Sequence, residues 1–216
     1  MKPVLLFDFD GTIADSSEGV FSGVLHALTV MGRPLPDGPT LRKFIGPPLM
    51  ESFQVQSGLT KDEATQALTL YREEYAVTGL KKCRIYDGIE TLLRRLKDDG
   101  FSLAVATSKP EPYTRTILHN LGIDDVFTFI AGAEFAGTRT DKPAVIAYAL
   151  ESLGVSPADA LMIGDRHHDV DGAHAFGMKC VGILWGFGSR EEFASCGADF
   201  VCADTEELYS LLRTLS

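Results

Sequence analysis

From residue 87 to the end of the chain, segments of strand character alternate with segments of helical spacing, and that rhythm leaves few folds open. DGIETLLRRLKDDG reads as a helix with Asp87 as its cap and Gly100 as its stop, and FSLAVAT (101–107) reads as a strand. EPYTRTILHNLG is a helix, VFTFIAG (126–132) a strand, and KPAVIAYALESLG a helix with Pro143 in its first turn. ALMIGD (160–165) is a strand, followed by a helix through Phe176 and a strand at KCVGILW (179–185). SREE (189–192) is a capping box, ADFVCAD (198–204) a short strand, and TEELYSLLRTL the closing helix. Strands alternating with helices of this length make a parallel sheet with helices on both faces. The expected fold class is α/β, a Rossmann-like parallel sheet core with a small α-helical cap.

The cap expectation comes from the N-terminal third. PVLLFD supplies a first strand over residues 3–8. Residues 15–84 then offer no convincing strand. Val20, Val24, Leu28 and Met31 recur at helical spacing, Gly32 to Pro39 break the chain, and a short LRKF segment leads to a second break at Gly46-Pro47-Pro48. Thr60 and Glu63 form a capping box for a helix running to about Val77. The expected division is a core of residues 1–14 and 85–216 with a helical insert at 15–84.

In open parallel sheets, ligands bind outside the carboxyl ends of the strands. The polar residues fall there: Asp8 and Asp10 after the first strand, Thr107 and Ser108 after the second, Asp165 with Asp169 after a later one, and Lys142 at a helix start. Taken alone, Asp8 and Asp10 are either a solvated strand end or half of a metal site, and Asp165 and Asp169 could cap the next helix. Together, Asp8, Asp10 and Asp165 would put several hard oxygens around one point, a set that suits Mg²⁺ with open positions for water and a phosphate. Lys142 would add a positive charge, and a carboxylate so placed could attack phosphorus. Asp10, at a turn that Gly11 permits, could protonate a leaving group and later deprotonate water. Asp15 reads as a helix N-cap rather than a ligand.

D-F-D-G-T at residues 8–12, Thr107 after a strand, Lys142-Pro143, and G-D-R-H-H-D at 164–169 resemble the four motifs of the haloacid dehalogenase superfamily of phosphohydrolases. The order and separations match over essentially the whole chain, and the insert resembles that superfamily's C1 cap. The resemblance is nearest to phosphoglycolate phosphatase-like and 5'-nucleotidase-like members, with beta-phosphoglucomutase a cousin. It implies Asp8 as nucleophile and Mg²⁺ ligand, and Asp10 as general acid/base with its backbone carbonyl on the metal. Thr107 would bond the phosphoryl oxygens, with Ser108 beside it, while Lys142 neutralises the phosphoryl group. Asp165 would ligate the metal, with Asp169 in support. Backbone amides after Asp8 would help cradle the phosphoryl group, and Gly11 and Thr12 are counted among the substrate-binding residues. Arg42 and Lys43, just before Gly46, are either a solvated helix face or contacts to a second anionic group of the substrate. The implied activity is Mg²⁺-dependent hydrolysis of small phosphomonoesters through an aspartyl-phosphate. A phosphosugar mutase is the alternative, and a phosphoryl-accepting regulatory domain a further one.

Composition excludes other classes. A net charge of -10 with no basic stripe argues against a nucleic-acid polymer as partner. No apolar run is long enough to span a membrane, and no leader pattern precedes Asp8, so a cytoplasmic protein is expected. Cys83, Cys180, Cys196 and Cys202 form no C-x-x-C pair, which fits free thiols in a reducing compartment. His167 and His168 are expected to be exposed loop residues near the mouth of the site, without a zinc-binding partner set. GFGS at 186–189 matches no nucleotide-binding motif. The expected partner is a small phosphorylated metabolite, met by a monomer or weak homodimer.

Overall fold

The computed structural model describes residues 2–215, and its packing divides them into two compact units. One holds the chain up to Asp15 together with Ile85 onward; the other is Ser16–Arg84.

The first unit is built on a six-stranded sheet. Its strands are β1 (Val4–Phe7), β4 (Leu103–Pro110), β5 (Phe129–Ala133), β6 (Ala160–Gly164), β7 (Lys179–Ile183) and β8 (Phe200–Cys202), in the order β5-β4-β1-β6-β7-β8. Two-residue strands β2 (Ala14–Asp15) and β3 (Arg84–Ile85) lie at the two chain crossings between the units. Every pairing within the six is parallel; Phe7 faces Val105 on one side and Ile163 on the other. Leu5, Leu6 and Phe7 are fully buried, which is why this strand reads as an unbroken apolar run. Side chains alternate between faces along each strand. Leu6, Ala104, Ala106 and Met162 accordingly share a core with Val145, Ile146 and Val170 of helices α7 (Lys142–Leu153) and α8 (His167–His174). Helices α5 (Ile89–Asp98), α6 (Glu111–Leu121) and α10 (Thr205–Thr214) bury their own apolar stripes, and α9 (Arg190–Cys196) follows β7. The chain runs from β1 to β4 and β5 on one side, then crosses to β6, β7 and β8 on the other. That reversal beside β1 is where a doubly wound sheet opens a crevice at its carboxyl edge.

Ser16–Arg84 is helical: α1 (Ser17–Val30), α2 (Gly38–Arg42), α3 (Leu49–Ser57) and α4 (Lys61–Val77). Helices α1 and α4 pack closely because Gly23 leaves space for a ring: a Cβ there would lie 2.7 Å from Tyr71. Tyr71 in turn stacks on Tyr75 at 5.2 Å. The Thr60–Glu63 capping box is complete, with both reciprocal bonds present. Among the described residues no helix is long and apolar enough to cross a membrane.

Several expected boundaries move. β4 continues past Thr107 to Pro110, with an irregular register between them. β5 begins at Phe129 because residues 124–126 form a 3₁₀ turn. Asp87 does not cap α5; Gly88, at φ 79°, takes that position without a side-chain bond. Asp15 lies in β2 rather than capping α1, whose cap position is Ser16. α3 follows the Gly46-Pro47-Pro48 break, where no helix was expected; its length of nine residues carries too short a pattern to stand out.

Candidate active site

β1 stops at Phe7, so Asp8 is the first residue beyond the sheet, held by its N–H to the Ile163 carbonyl at 2.9 Å. β6 stops at Gly164, which places Asp165 beside it. Asp169 stands in the first turn of α8 and accepts the Arg166 N–H at 3.1 Å. The three acids offer oxygens that all lie within 4.8 Å of one another, though Asp165 and Asp169 are at most 1% exposed and Asp8 only 7%.

One ammonium group sits among them. Lys142, the first residue of α7 and 5% exposed, places Nζ 2.7 Å from Asp8 Oδ1 and 2.8 Å from Asp169 Oδ1, and donates to the Ala106 carbonyl at 3.1 Å. Thr107 is buried beside them, and its hydroxyl helps hold Asp8 ionised. Burial raises the Asp8 carboxyl above its ordinary range; Lys142 opposes that shift and Asp169 adds to it. Asp165 is also raised well above the ordinary carboxylate range, by burial first and then by Asp169 and Asp8. Burial alone would lower the Lys142 ammonium, but Asp169 and Asp8 hold it above the usual lysine range. Three buried acids facing one base leave the cluster short of positive charge.

The residues fit a hard divalent cation. The donors are carboxylate oxygens from three separate segments, all within 4.8 Å of one another. Lys142 answers Asp8 and Asp169 with a single positive charge, so three buried acids keep a surplus of negative charge that a divalent cation would offset.

The other expected residues distribute unevenly. The Asp10 carboxylate lies outside the three-acid cluster and is ion-paired through both oxygens, each 3.0 Å from Lys109 Nζ. Sequence reading missed Lys109, which is 7% exposed and has its N–H on the Thr107 hydroxyl at 3.3 Å. The signal was a lysine two residues past Thr107, on the same side of an extended strand. Gly11, at φ 84°, makes the turn expected of it. Of the backbone amides after Asp8, the Gly11 N–H bonds the Ala14 carbonyl and the Thr12 N–H the Phe9 carbonyl. Thr12 is fully buried, with its hydroxyl 3.4 Å from Asp165 Oδ1. Ser108 is half-buried within β4. Arg42, Lys43 and Gly46 belong to the helical unit, where Arg42 and Lys43 are exposed at the end of α2 and Gly46 turns at φ 102°. His167 and His168 are not loop residues; they open α8 and are half-buried. The His167 N–H and ring Nδ1 both lie 2.8 Å from Glu192 Oε1. That contact leaves the SREE capping box half formed: Ser189 accepts the Glu192 N–H, while the Glu192 side chain reaches Arg166 and His167 instead.

Fold and cluster define a class, α/β proteins with an acidic, cation-suited site at the carboxyl edge of a parallel sheet. A sequence model of the haloacid dehalogenase-like hydrolase family matches residues 5–183, and the chain belongs to that family. A 5'-nucleotidase from Pseudomonas aeruginosa is 42% identical over 212 residues, covering 98% of this chain and 96% of its own. Tyrosine-protein kinase PtkA of Mycobacterium tuberculosis is 43% identical over 188 residues, and the match spans 87% of this chain and 64% of that protein. The crystal structure of a predicted phosphatase from Clostridium acetobutylicum superposes with a TM-score of 0.95 at 39% identity, covering 99% of each chain. The chain is a phosphoric monoester hydrolase.

Proposed function

We propose that the chain hydrolyses small phosphomonoesters with Mg²⁺ through a phosphoryl group carried on Asp8. The observation that supports this most is the convergence of Asp8, Asp165, Asp169 and Lys142 on one point. Asp8, Asp165 and Asp169, with the Asp10 backbone carbonyl, would hold Mg²⁺, which when bound offsets the negative charge and polarises a phosphoryl oxygen. An Asp8 oxygen attacks phosphorus while the bond from phosphorus to the leaving oxygen breaks. Asp10, protonated once its carboxylate leaves Lys109, gives that oxygen the proton. Water then attacks the acyl-phosphate, Asp10 takes the proton back, and phosphate leaves with Asp8 restored. Lys142 favours the ionised form of Asp8, and its charge, with the Thr107 hydroxyl, stands beside the transferring group. Uncatalysed phosphate-monoester hydrolysis is slow enough that the barrier must fall by about 20 kcal/mol or more. Preorganised charge is the largest available source. The helical unit is the substrate-selecting cap, and Arg42, Lys43 and Gly46 are its candidates for recognising the leaving group.

The test is phosphate release from a panel containing nucleoside monophosphates, phosphoglycolate and sugar phosphates, with Mg²⁺ and with EDTA. Asp8→Asn is expected to keep its fold and lose essentially all turnover. Turnover of Asp8→Asn comparable to wild type would remove the nucleophile assignment. Substrate loss without matching phosphate release would favour a mutase. A further arm with ATP and a tyrosine peptide covers the activity named for the kinase relative.

A further inference from the structure

We propose that residues 185–189, the loop after β7, are the positioning element for the Asp165 carboxylate and so set how tightly the three-aspartate site holds its divalent cation. The inference rests on the metal-dependent reading above. It concerns a segment just beyond the family match, which ends at residue 183.

Both oxygens of Asp165 are gripped, directly or indirectly, by this loop. The Phe187 N–H donates to Oδ2 at 2.8 Å. The Thr12 hydroxyl reaches Oδ1 at 3.4 Å, and the loop secures Thr12 in turn, since the Trp185 indole N–H donates to the Thr12 carbonyl at 3.0 Å. The strong bond therefore falls on one oxygen and the weak bond on the other, which keeps acceptor capacity at Oδ1 for a cation.

The fit leaves no room for side chains. A Cβ on Gly186 would lie 2.3 Å from the Gly11 carbonyl oxygen and 2.5 Å from Asp165 Cβ. One on Gly188 would lie 2.0 Å from the Asp165 carbonyl oxygen, and one on Gly11 would lie 2.1 Å from Asp165 Oδ2 and 2.7 Å from the Phe187 ring. Neither Gly186 nor Gly188 has a positive φ, so space rather than backbone conformation demands glycine at those two positions. The GFGS sequence thus has a use unrelated to nucleotide binding. At the end of the loop Ser189 caps α9, and Glu192 in its first turn takes Arg166 Nε at 3.0 Å and the His167 N–H at 2.8 Å. The segment carrying Asp165 is held from both ends by one continuous stretch of chain.

Groups that orient a ligating carboxylate matter to metal affinity because a carboxylate free to rotate must be ordered on binding. Loss of such a partner typically costs about 10- to 100-fold in affinity. The test is Mn²⁺ binding to the metal-stripped full chain by titration calorimetry, without substrate. Phe187→Pro removes the N–H, and Phe187→Ala keeps it while removing the ring. Phe187→Pro is expected to bind Mn²⁺ about 10- to 100-fold more weakly, and Phe187→Ala within about 2-fold of wild type. Folded Phe187→Pro with wild-type affinity overturns the proposal, as does an equal loss in Phe187→Ala. If circular dichroism shows that Phe187→Pro does not fold, Trp185→Phe decides: weaker Mn²⁺ binding supports the proposal and unchanged binding overturns it. Asp165→Asn separates the two levels. Should wild type bind no Mn²⁺, or Asp165→Asn bind it equally well, the metal reading itself fails. Should Asp165→Asn lose binding while the loop variants keep it, only the loop proposal fails.

Discussion

Lys142→Met tests the charge balance of the site without changing its shape. Methionine keeps the apolar stem that packs where Gly172 leaves space, 2.7 Å from Lys142 Cγ to a Cβ at that glycine, and deletes only the ammonium. Asp8 and Asp169 then lose the cation that stands 2.7 and 2.8 Å from them. At an effective dielectric near 20, each of these contacts represents about 6 kcal/mol of attraction, from which the cost of burying the ammonium must be subtracted. Removing one partner of a buried ion pair costs about 3–5 kcal/mol by experience elsewhere, and that range sets the expectation. Proton uptake by the stranded carboxylates caps the loss. Urea unfolding in EDTA at pH 7.5, with a slope of about 2–3 kcal/mol per molar, should show the midpoint falling by about 1–2 M. Lys142→Met/Asp169→Asn, which removes one surplus negative charge as well, should recover about half of that, and Mg²⁺ should narrow the gap in the single variant. A Lys142→Met midpoint within about 0.3 M of wild type in EDTA would refute the charge balance drawn here, as would no recovery in the double variant.

Lys109→Met should lower kcat by about 100-fold with little change in KM, because it releases the Asp10 carboxylate that Lys109 grips through both oxygens, and Lys109→Arg should restore part of it; an unchanged kcat would remove Lys109 from the reaction. Metal-free protein should lose stability as pH rises from about 4. The Asp8 and Asp165 carboxyls are raised by burial, so between the ordinary carboxylate pKa and the raised values the folded state holds protons that the unfolded chain has released. Their contribution is complete below about pH 4 and fades as pH climbs through the raised values, and Mg²⁺, which favours the ionised forms, should reverse the trend; EDTA and Mg²⁺ midpoints measured across pH 4–8 check the sign. Thr60→Ala opens the capping box of α4 and should cost about 1 kcal/mol, read as a fall of about 2–4 °C in melting temperature with Mn²⁺ affinity unchanged.

Much of the architecture was legible in the sequence because its signals are local. The apolar run ending at Asp8, the alternation after residue 87 and the Thr60–Glu63 box each state their own element within a few residues. Asp8, Asp165, Asp169 and Lys142 could be singled out as well, since each follows or opens an element at the edge where a parallel sheet receives ligands. Short or irregular pieces were less legible: α3 is nine residues long, and β4 runs through an irregular register to Pro110.

What the tertiary structure alone decided is which side chain answers which. Asp10 and Lys109 are 99 residues apart and meet because β1 and β4 pair in parallel, Phe7 beside Val105, which brings the segment just past β1 alongside the last residues of β4. Glu192 obeyed its local pattern only by half, because Arg166 and His167 lie within its reach. The glycines at 186 and 188 carried no message until Asp165 and Gly11 were seen packed against them. Periodicity records how a segment presents itself to a core, but the partner across a gap is set by strand register and helix packing, and those are properties of the whole folded chain.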